Sequence, residues 1–351
     1  MSGIQHRKRS HIEICTHRDV AFLQSTLLEE VTLIHCALPE LNLADVSLET
    51  SVAGFPVAAP FVIGAMTGGT GDGPGFNVAL AELAGQFNVA LCLGSIRPAL
   101  MNPDTVVEFD VKAHARQAPV FSNIGANQLE AFAPSQILEL AERISDGLFV
   151  HLNAGMELIQ PHGDTRFSGQ VDAIAKLVEA AGSFPVAVKE TGMGLSIRDG
   201  MALKSAGVQT VETAGAGGTS WIGVETERAS GIDKAVGEML RDFGIPTAAS
   251  IGWMKRLGMD TIGSGGVYTA LDAARAIRLG ANAVAMARPW LLAYHRGGLP
   301  GMMEKMNELL VGLKYVMVCV GQKCIAGLQT ADCIIGEPLQ KYFDFTLDET
   351  P

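Results

Sequence analysis

Paired cysteines are missing from this chain. Its six cysteines (Cys15, Cys36, Cys92, Cys319, Cys324 and Cys333) form no CxxC pair and no spacing typical of a disulfide framework. Long hydrophobic runs are missing too: no stretch approaches the roughly 20 apolar residues that a membrane helix needs. The first residues are charged and lack the apolar core of a secretory leader. These absences lead to the expectation of a soluble, cytoplasmic protein with reduced thiols. Basic charge is also scarce, with 26 Lys and Arg against 37 Asp and Glu and a formal net charge of −11. That balance argues against nucleic acid or an anionic membrane as the main partner. A local exception, His6-Arg7-Lys8-Arg9, could still hold a small anion.

What is present is enough for a large core: 351 residues, 48% hydrophobic and 18% charged. Forty glycines fall singly or in short clusters after apolar runs, not in a low-complexity tract. From Pro60 onward a unit repeats: a short apolar run, a glycine-rich or polar turn, then a helical stretch. The candidate strands are 61–66, 89–94, 119–124, 148–153, 185–190, 208–213, 260–264 and 282–287. Between them lie amphipathic stretches such as 135–145, 170–181, 199–206 and 270–279, with apolar residues at helical spacing. Continuous apolar strands alternating with helices imply a parallel sheet covered on both faces. Eight units predict an α/β fold, a closed (β/α)8 TIM barrel. An open doubly wound sheet is the alternative, but its GxGxxG signature is absent after the first strand, where MTGGTGDG stands. The expected organisation is an N-terminal extension (1–59) folding over one end, a barrel (60–299) and a C-terminal helical extension (300–351). In the last, Met302, Met303, Met306 and Met317 read as packing residues.

In such a barrel the site is built at the C-terminal ends of the strands. Those ends read Met66-Thr67-Gly68-Gly69, Ser95-Ile96-Arg97, Asn123, His151 with Asn153, Lys189-Glu190, 215–219, Gly265-Gly266 and Ala287-Arg288. Nearly all are small or polar. The stretch GSGGVYTALDAARAI (263–277) is a strand, a glycine pair and a helix start, where free backbone N–H groups are expected to hold a phosphate. GAGGTSW (215–221) adds a third glycine loop. Lys189 follows an apolar strand, so its ammonium must meet an anion or lose its charge. A Schiff-base lysine is one reading. A cation at the edge of a reduced flavin is another, and it also explains Asn123 and Ser95 as partners of a ring system. The stretch HLNAGMELIQPHGD (151–164) offers a histidine, an asparagine and a carboxylate within seven positions, with apolar Met156 beside Glu157.

These motifs together carry a resemblance. RKRSH near the start, MTGGT, GSIR, SNIGANQ, HLNAGMELIQPHGD, VKETGMG, GAGGTSW, GIPTA and GSGGVYTALD follow the order and spacing of the type 2, FMN-dependent isopentenyl-diphosphate isomerases, from Arg7 to about Leu292. The resemblance implies that Ala65, Met66, Thr67, Ser95, Asn123, Lys189 and Thr219 surround FMN, with Gly265, Gly266, Ala287 and Arg288 at its phosphate. It implies that Arg7, Lys8 and His11 close over a substrate diphosphate, joined by Ser95, Arg97, His151 and Asn153. Glu157 would hold a bridging Mg2+. The implied reaction moves the double bond of isopentenyl diphosphate to give dimethylallyl diphosphate, with reduced FMN as acid and base and NADPH or another reductant supplying electrons. The expected partners are a prenyl diphosphate and further copies of the chain, as a tetramer or octamer by family analogy.

Four positions depart from the family pattern. Met156 replaces a glutamine near the reacting carbons, Ile96 a glutamine, His162 a glutamate and Tyr268 an arginine. A thioether cannot donate a hydrogen bond or pass a proton. The expectation is a site with its anchor intact and its reacting end altered. It is either an isomerase in which Met156 only packs, or a paralogue running other flavin chemistry. A binding protein without turnover is a third possibility. The 2-hydroxy-acid oxidases share the barrel but need a base histidine by the flavin. No histidine lies between Asp164 and Tyr294 here, which makes that chemistry a poor match.

Overall fold

A computed structural model describes residues 3–66 and 75–347, with side chains from Arg7 onward at the N-terminus. Eight parallel strands close into a barrel. They are β1 (Phe61–Ile63), β2 (Ala90–Ser95), β3 (Val120–Gly125), β4 (Gly147–His151), β5 (Val186–Lys189), β6 (Thr210–Glu212), β7 (Asp260–Ser264) and β8 (Ala283–Met286). Each pairs with its sequence neighbours, and β8 pairs with β1 to complete the ring. All eight expected runs form strands, with ends moved by at most three residues. The four expected helices also form, as Pro134–Ile144, Gln170–Ala181, Ile197–Ser205 and Ala270–Arg278.

Strand side chains alternate between two faces, and here they build two separate cores. Outward residues such as Phe61, Leu91, Ile124, Leu148, Val188 and Val284 pack with the surrounding helices. Inward residues Val62, Ala90, Cys92, Phe121, Phe149, Ala187, Ile262, Ala283 and Ala285 fill the barrel. Phe121 meets Phe149 edge to face at 5.4 Å. A hairpin, Thr50–Val52 with Phe55–Val57, plugs the base of the barrel and sets Phe55 against Phe121 at 5.7 Å. The N-terminal extension thus does more than fold over one end. The hairpin seals the base, and the helix Gly3–His17 lies by the opposite mouth, where its residues line the main cavity.

Val31–Leu33 pairs antiparallel with Cys333–Ile335, so the two chain extensions stitch together. The helix Arg288–Cys319 runs across the expected boundary at 299/300, kinked at Gly297 and Gly298. Its buried face (Met302, Met306, Leu309, Leu313 and Met317) belongs to the outer core, so those methionines pack as expected. No described helix is long and apolar enough to cross a membrane.

Phe149 is fully buried inside the barrel. Phe149→Ala is expected to cost about 3–5 kcal/mol in urea unfolding. A loss no larger than that of the exposed Leu23→Ala would contradict the packed interior.

Candidate active site

The same alternation that fills the barrel sets its mouth. One step above Phe121, Phe149, Ala187, Thr210 and Ile262 come the inward residues Asn123, His151, Lys189, Glu212 and Ser264. They come from five successive strands and form a polar arc of two bonded groups. Asn123 Oδ1 lies 2.6 Å from His151 Nδ1. Lys189 Nζ lies 3.8 Å from Glu212 Oε1 and donates to the Glu190 carbonyl. Ser264 Oγ donates to Glu212 Oε1 at 2.9 Å, and receives the Ala214 N–H at 2.9 Å. Burial, with Lys189 and Lys8 nearby, pushes His151 down to about 3. Its imidazole is therefore neutral at pH 7, and the Asn123 carbonyl selects the tautomer with hydrogen on Nδ1.

Two adjoining cavities open over this arc. The larger, about 220 Å³, is bordered by Arg7, Lys8, His11, Ala65, Met66, Ser95, Arg97, Asn123, His151, Asn153, Met156, Glu157, Lys189, Thr219, Ala287 and Arg288. The smaller, about 100 Å³, reaches Gly265 and Gly266 and shares Ala65, Lys189, Thr219, Ala287 and Arg288 with the first. The structure thus gathers every site residue expected from the sequence except Thr67, which lies outside the described residues.

The helix Gly3–His17 roofs the larger cavity. His11 Nε2 sits 2.6 Å from Glu225 Oε1, and Arg228 pairs with the other oxygen of the same carboxylate. Glu225 is wholly buried, so its two partners hold the roof down against the desolvation of that charge. His11 also meets Trp221 edge to face at 5.2 Å. Arg288 ties the far end, donating to Cys15 O at 2.9 Å and Arg18 O at 3.2 Å. Lys8 Nζ reaches the Ser95 carbonyl at 3.5 Å and lies 5.6 Å above the Phe109 ring. Burial, then the charge of Arg7, pushes Lys8 down to about 7. Burial also lowers Arg7, against the pull of Glu157 and Glu225. Two enclosed cations side by side repel, and a bound anion would relieve both.

Glu157 faces this cationic roof from the helix Ala154–Ile159. Its Oε1 accepts from Asn153 Nδ2 at 2.7 Å; its Oε2 accepts from Gln160 Nε2 and the Asp164 N–H, both at 2.9 Å. Asn153 therefore acts through Glu157, as a positioning residue. Among the described residues no group of three His, Cys, Asp or Glu could hold a metal by itself. A lone oriented carboxylate suits a Mg2+ that arrives on a diphosphate, since that ion keeps most of its ligands as water and phosphate oxygen.

At the phosphate end, the N-terminus of the helix Ala270–Arg278 is partly taken. Thr269 accepts the Asp272 N–H, and Asp272 accepts those of Tyr268 and Thr269. A carboxylate there would repel a phosphate. Further donors lie earlier, at Gly266 and Val267, whose N–H groups, like those of Ala270 and Leu271, meet no acceptor among the described residues. Gly265 has φ +101°, and a Cβ there would come within 2.0 Å of Gly215 O. The close approach of the two loops demands glycine. Arg288, bonded to Tyr268, supplies the cation beside them.

Comparison with known proteins agrees with this geometry. The model of a family described as FMN-dependent dehydrogenase matches residues 152–334. An isopentenyl-diphosphate delta-isomerase of Synechococcus sp. is 39% identical over 91% of this chain and 92% of that protein. The protein of the same name from Pyrobaculum aerophilum is 37% identical over 97% and 98%. This chain belongs to the isopentenyl-diphosphate delta-isomerase family. Among solved structures, a flavocytochrome b2 with pyruvate bound has a TM-score of 0.67 at 17% identity, covering 97% of this chain and 85% of the other. A mandelate oxidase scores 0.67 at 15% identity, covering 95% and 100%. At that identity they show the fold alone.

Within that family's pattern, the four departures fall in different places. Met156 lines the main cavity, with Ile12, Cys15, Trp221 and Leu291. Tyr268 lines the phosphate end. Ile96 is fully buried in the outer core and faces neither cavity. His162 is exposed on a left-handed turn at φ +61°. The expectation of a broadly altered reacting end thus reduces to Met156.

Residues not foreseen from sequence are Glu212, Ser264, Glu225, Arg228 and Gln160. For Glu212 and Ser264 the signal was there: each stands two positions beyond an inward strand residue. Glu225 and Arg228 come together with His11 only across the folded chain. Glu190 is structural: its Oε2 accepts N–H groups from Gly192, Met193 and Gly194 and shapes the loop after β5.

Proposed function

We propose that this chain is an FMN- and Mg2+-dependent isomerase converting isopentenyl diphosphate to dimethylallyl diphosphate. The observation that carries the proposal is the shared space. A cationic roof and a glycine-lined trough meet over Lys189, with Ala65, Thr219 and Arg288 bordering both cavities. FMN, when bound and reduced, supplies the acid and base that an unactivated alkene demands. The reaction adds one proton at the terminal alkene carbon and removes another from the allylic carbon nearer the diphosphate, which becomes part of the new double bond, with no net redox change.

The chain's own residues bind, orient and exclude water. Gly266, Val267 and Arg288 would take the FMN phosphate, and Lys189 would hold its charge against the ring. Arg7, Lys8 and Arg97 would take the diphosphate. Glu157, set by Asn153 and Gln160, would meet Mg2+ on its oxygens. Closure of the His11–Glu225–Arg228 contact excludes water from the reacting end. Met156 and its apolar neighbours would pack the hydrocarbon. NADPH or another reductant would keep the flavin reduced, and a homo-oligomeric assembly accords with the family analogy. Of the four departures only Met156 borders the reacting end, which favours isomerisation over a second reading, other flavin chemistry on a diphosphate. Hydroxy-acid oxidation lacks its base histidine here.

An anaerobic assay with FMN, Mg2+, reductant and isopentenyl diphosphate tests the proposal. Turnover of roughly 1 s⁻¹ or somewhat below is expected. Met156→Gln should then change the rate little. Absence of dimethylallyl diphosphate from wild-type protein that binds both FMN and the diphosphate would favour the second reading.

Lys8 generates a pH prediction. Below pH 7 it is already charged in the free protein; above pH 7 it is neutral and must take up a proton when an anion binds. Affinity for inorganic pyrophosphate should therefore fall as pH rises through 7, by up to about tenfold per pH unit. Calorimetry at pH 8 in two buffers should show proton uptake by wild type that Lys8→Met lacks. Equal uptake by the two proteins would refute the assignment.

A further inference from the structure

We infer that the Glu212 carboxylate accepts the hydroxyl groups of the flavin's ribityl chain, an inference that rests on the flavin reading above. Glu212 ends β6 and is only 4% exposed. Its Oε1 is engaged by Ser264 at 2.9 Å and faces Lys189 at 3.8 Å. Its Oε2 is buried and has no hydrogen-bond partner among the described residues. An ionised carboxylate only accepts, and a buried oxygen without a donor is costly. Glu212 borders the smaller cavity, and a ligand that fills it is a source of donors for this carboxylate.

The two ends of that cavity ask for opposite things. Toward Gly266, Val267 and Arg288 it offers donors and positive charge, suited to phosphate. At Glu212 it offers negative charge, which repels phosphate and attracts hydroxyl groups. A metal ion is a poor candidate there, because Lys189 stands alongside and the described residues hold no cluster of metal ligands. A chain that is hydroxylated along its length and anionic at its tail satisfies both ends. Glu212 is on this account a positioning residue that orients the flavin by its side chain and leaves the ring to Lys189.

The test compares two flavins on the apoprotein. FMN carries the ribityl phosphate; lumiflavin has the same ring and lacks that chain. Glu212→Gln should raise the FMN dissociation constant about tenfold or more and leave that of lumiflavin within about twofold. An unchanged FMN constant would overturn the inference. So would an equal loss for both flavins, which would mean that Glu212 acts only through Lys189. Retained lumiflavin binding reports a folded site. Should Glu212→Gln bind neither flavin, Glu212→Asp decides in its place: a selective loss of FMN supports the inference and a parallel loss overturns it. Failure of the flavin reading itself looks different, because wild-type protein would then bind neither flavin.

Discussion

A lysine ammonium held at the mouth of the barrel, 3.8 Å from a buried glutamate, sets the terms for what surrounds it. Taking two charges out of water costs several kcal/mol per ion, and attraction returns that only with good partners. Lys189 and Glu212 are paired across β5 and β6 in the sheet register, so the barrel itself holds them together. Ser264 and the Glu190 carbonyl supply the remaining contacts. A one-residue slip in either strand would turn one charge outward into the apolar shell. The pair therefore both depends on the barrel's register and penalises alternatives to it.

Above this floor, the roof follows the same logic with weaker anchors. Glu225 is buried and is satisfied only by reaching His11 and Arg228. The N-terminal helix is thus tied to the barrel by a shared carboxylate, by Arg288 and by Lys8, which reaches the carbonyl of Ser95 at the end of β2. The cations it carries, Arg7 and Lys8, are crowded and partly stripped of water. Their mutual repulsion is what a bound anion would relieve.

Much of this was legible in the sequence. Eight apolar runs separated by helical stretches gave the closed barrel, and polar strand ends gave the floor. What the sequence alone could not give was direction. Ile96 sits between two cavity residues, Ser95 and Arg97, yet points into the outer core; only the register of β2 and the following helix decides that. Glu225 carries no local motif, and its meaning appears when His11, 214 positions away, folds against it. At the phosphate end one further feature was readable: Thr269 and Asp272 spell a capping box, which takes up part of the helix N-terminus.

The central claim is that the Lys189–Glu212 floor seats a flavin, and flavin uptake by the Lys189→Met protein tests it most directly. Wild-type apoprotein should bind one FMN per chain, and the variant should bind it at least about tenfold more weakly, since a charged hydrogen-bonding partner is lost. Equal FMN stoichiometry and affinity in the two proteins would contradict the account.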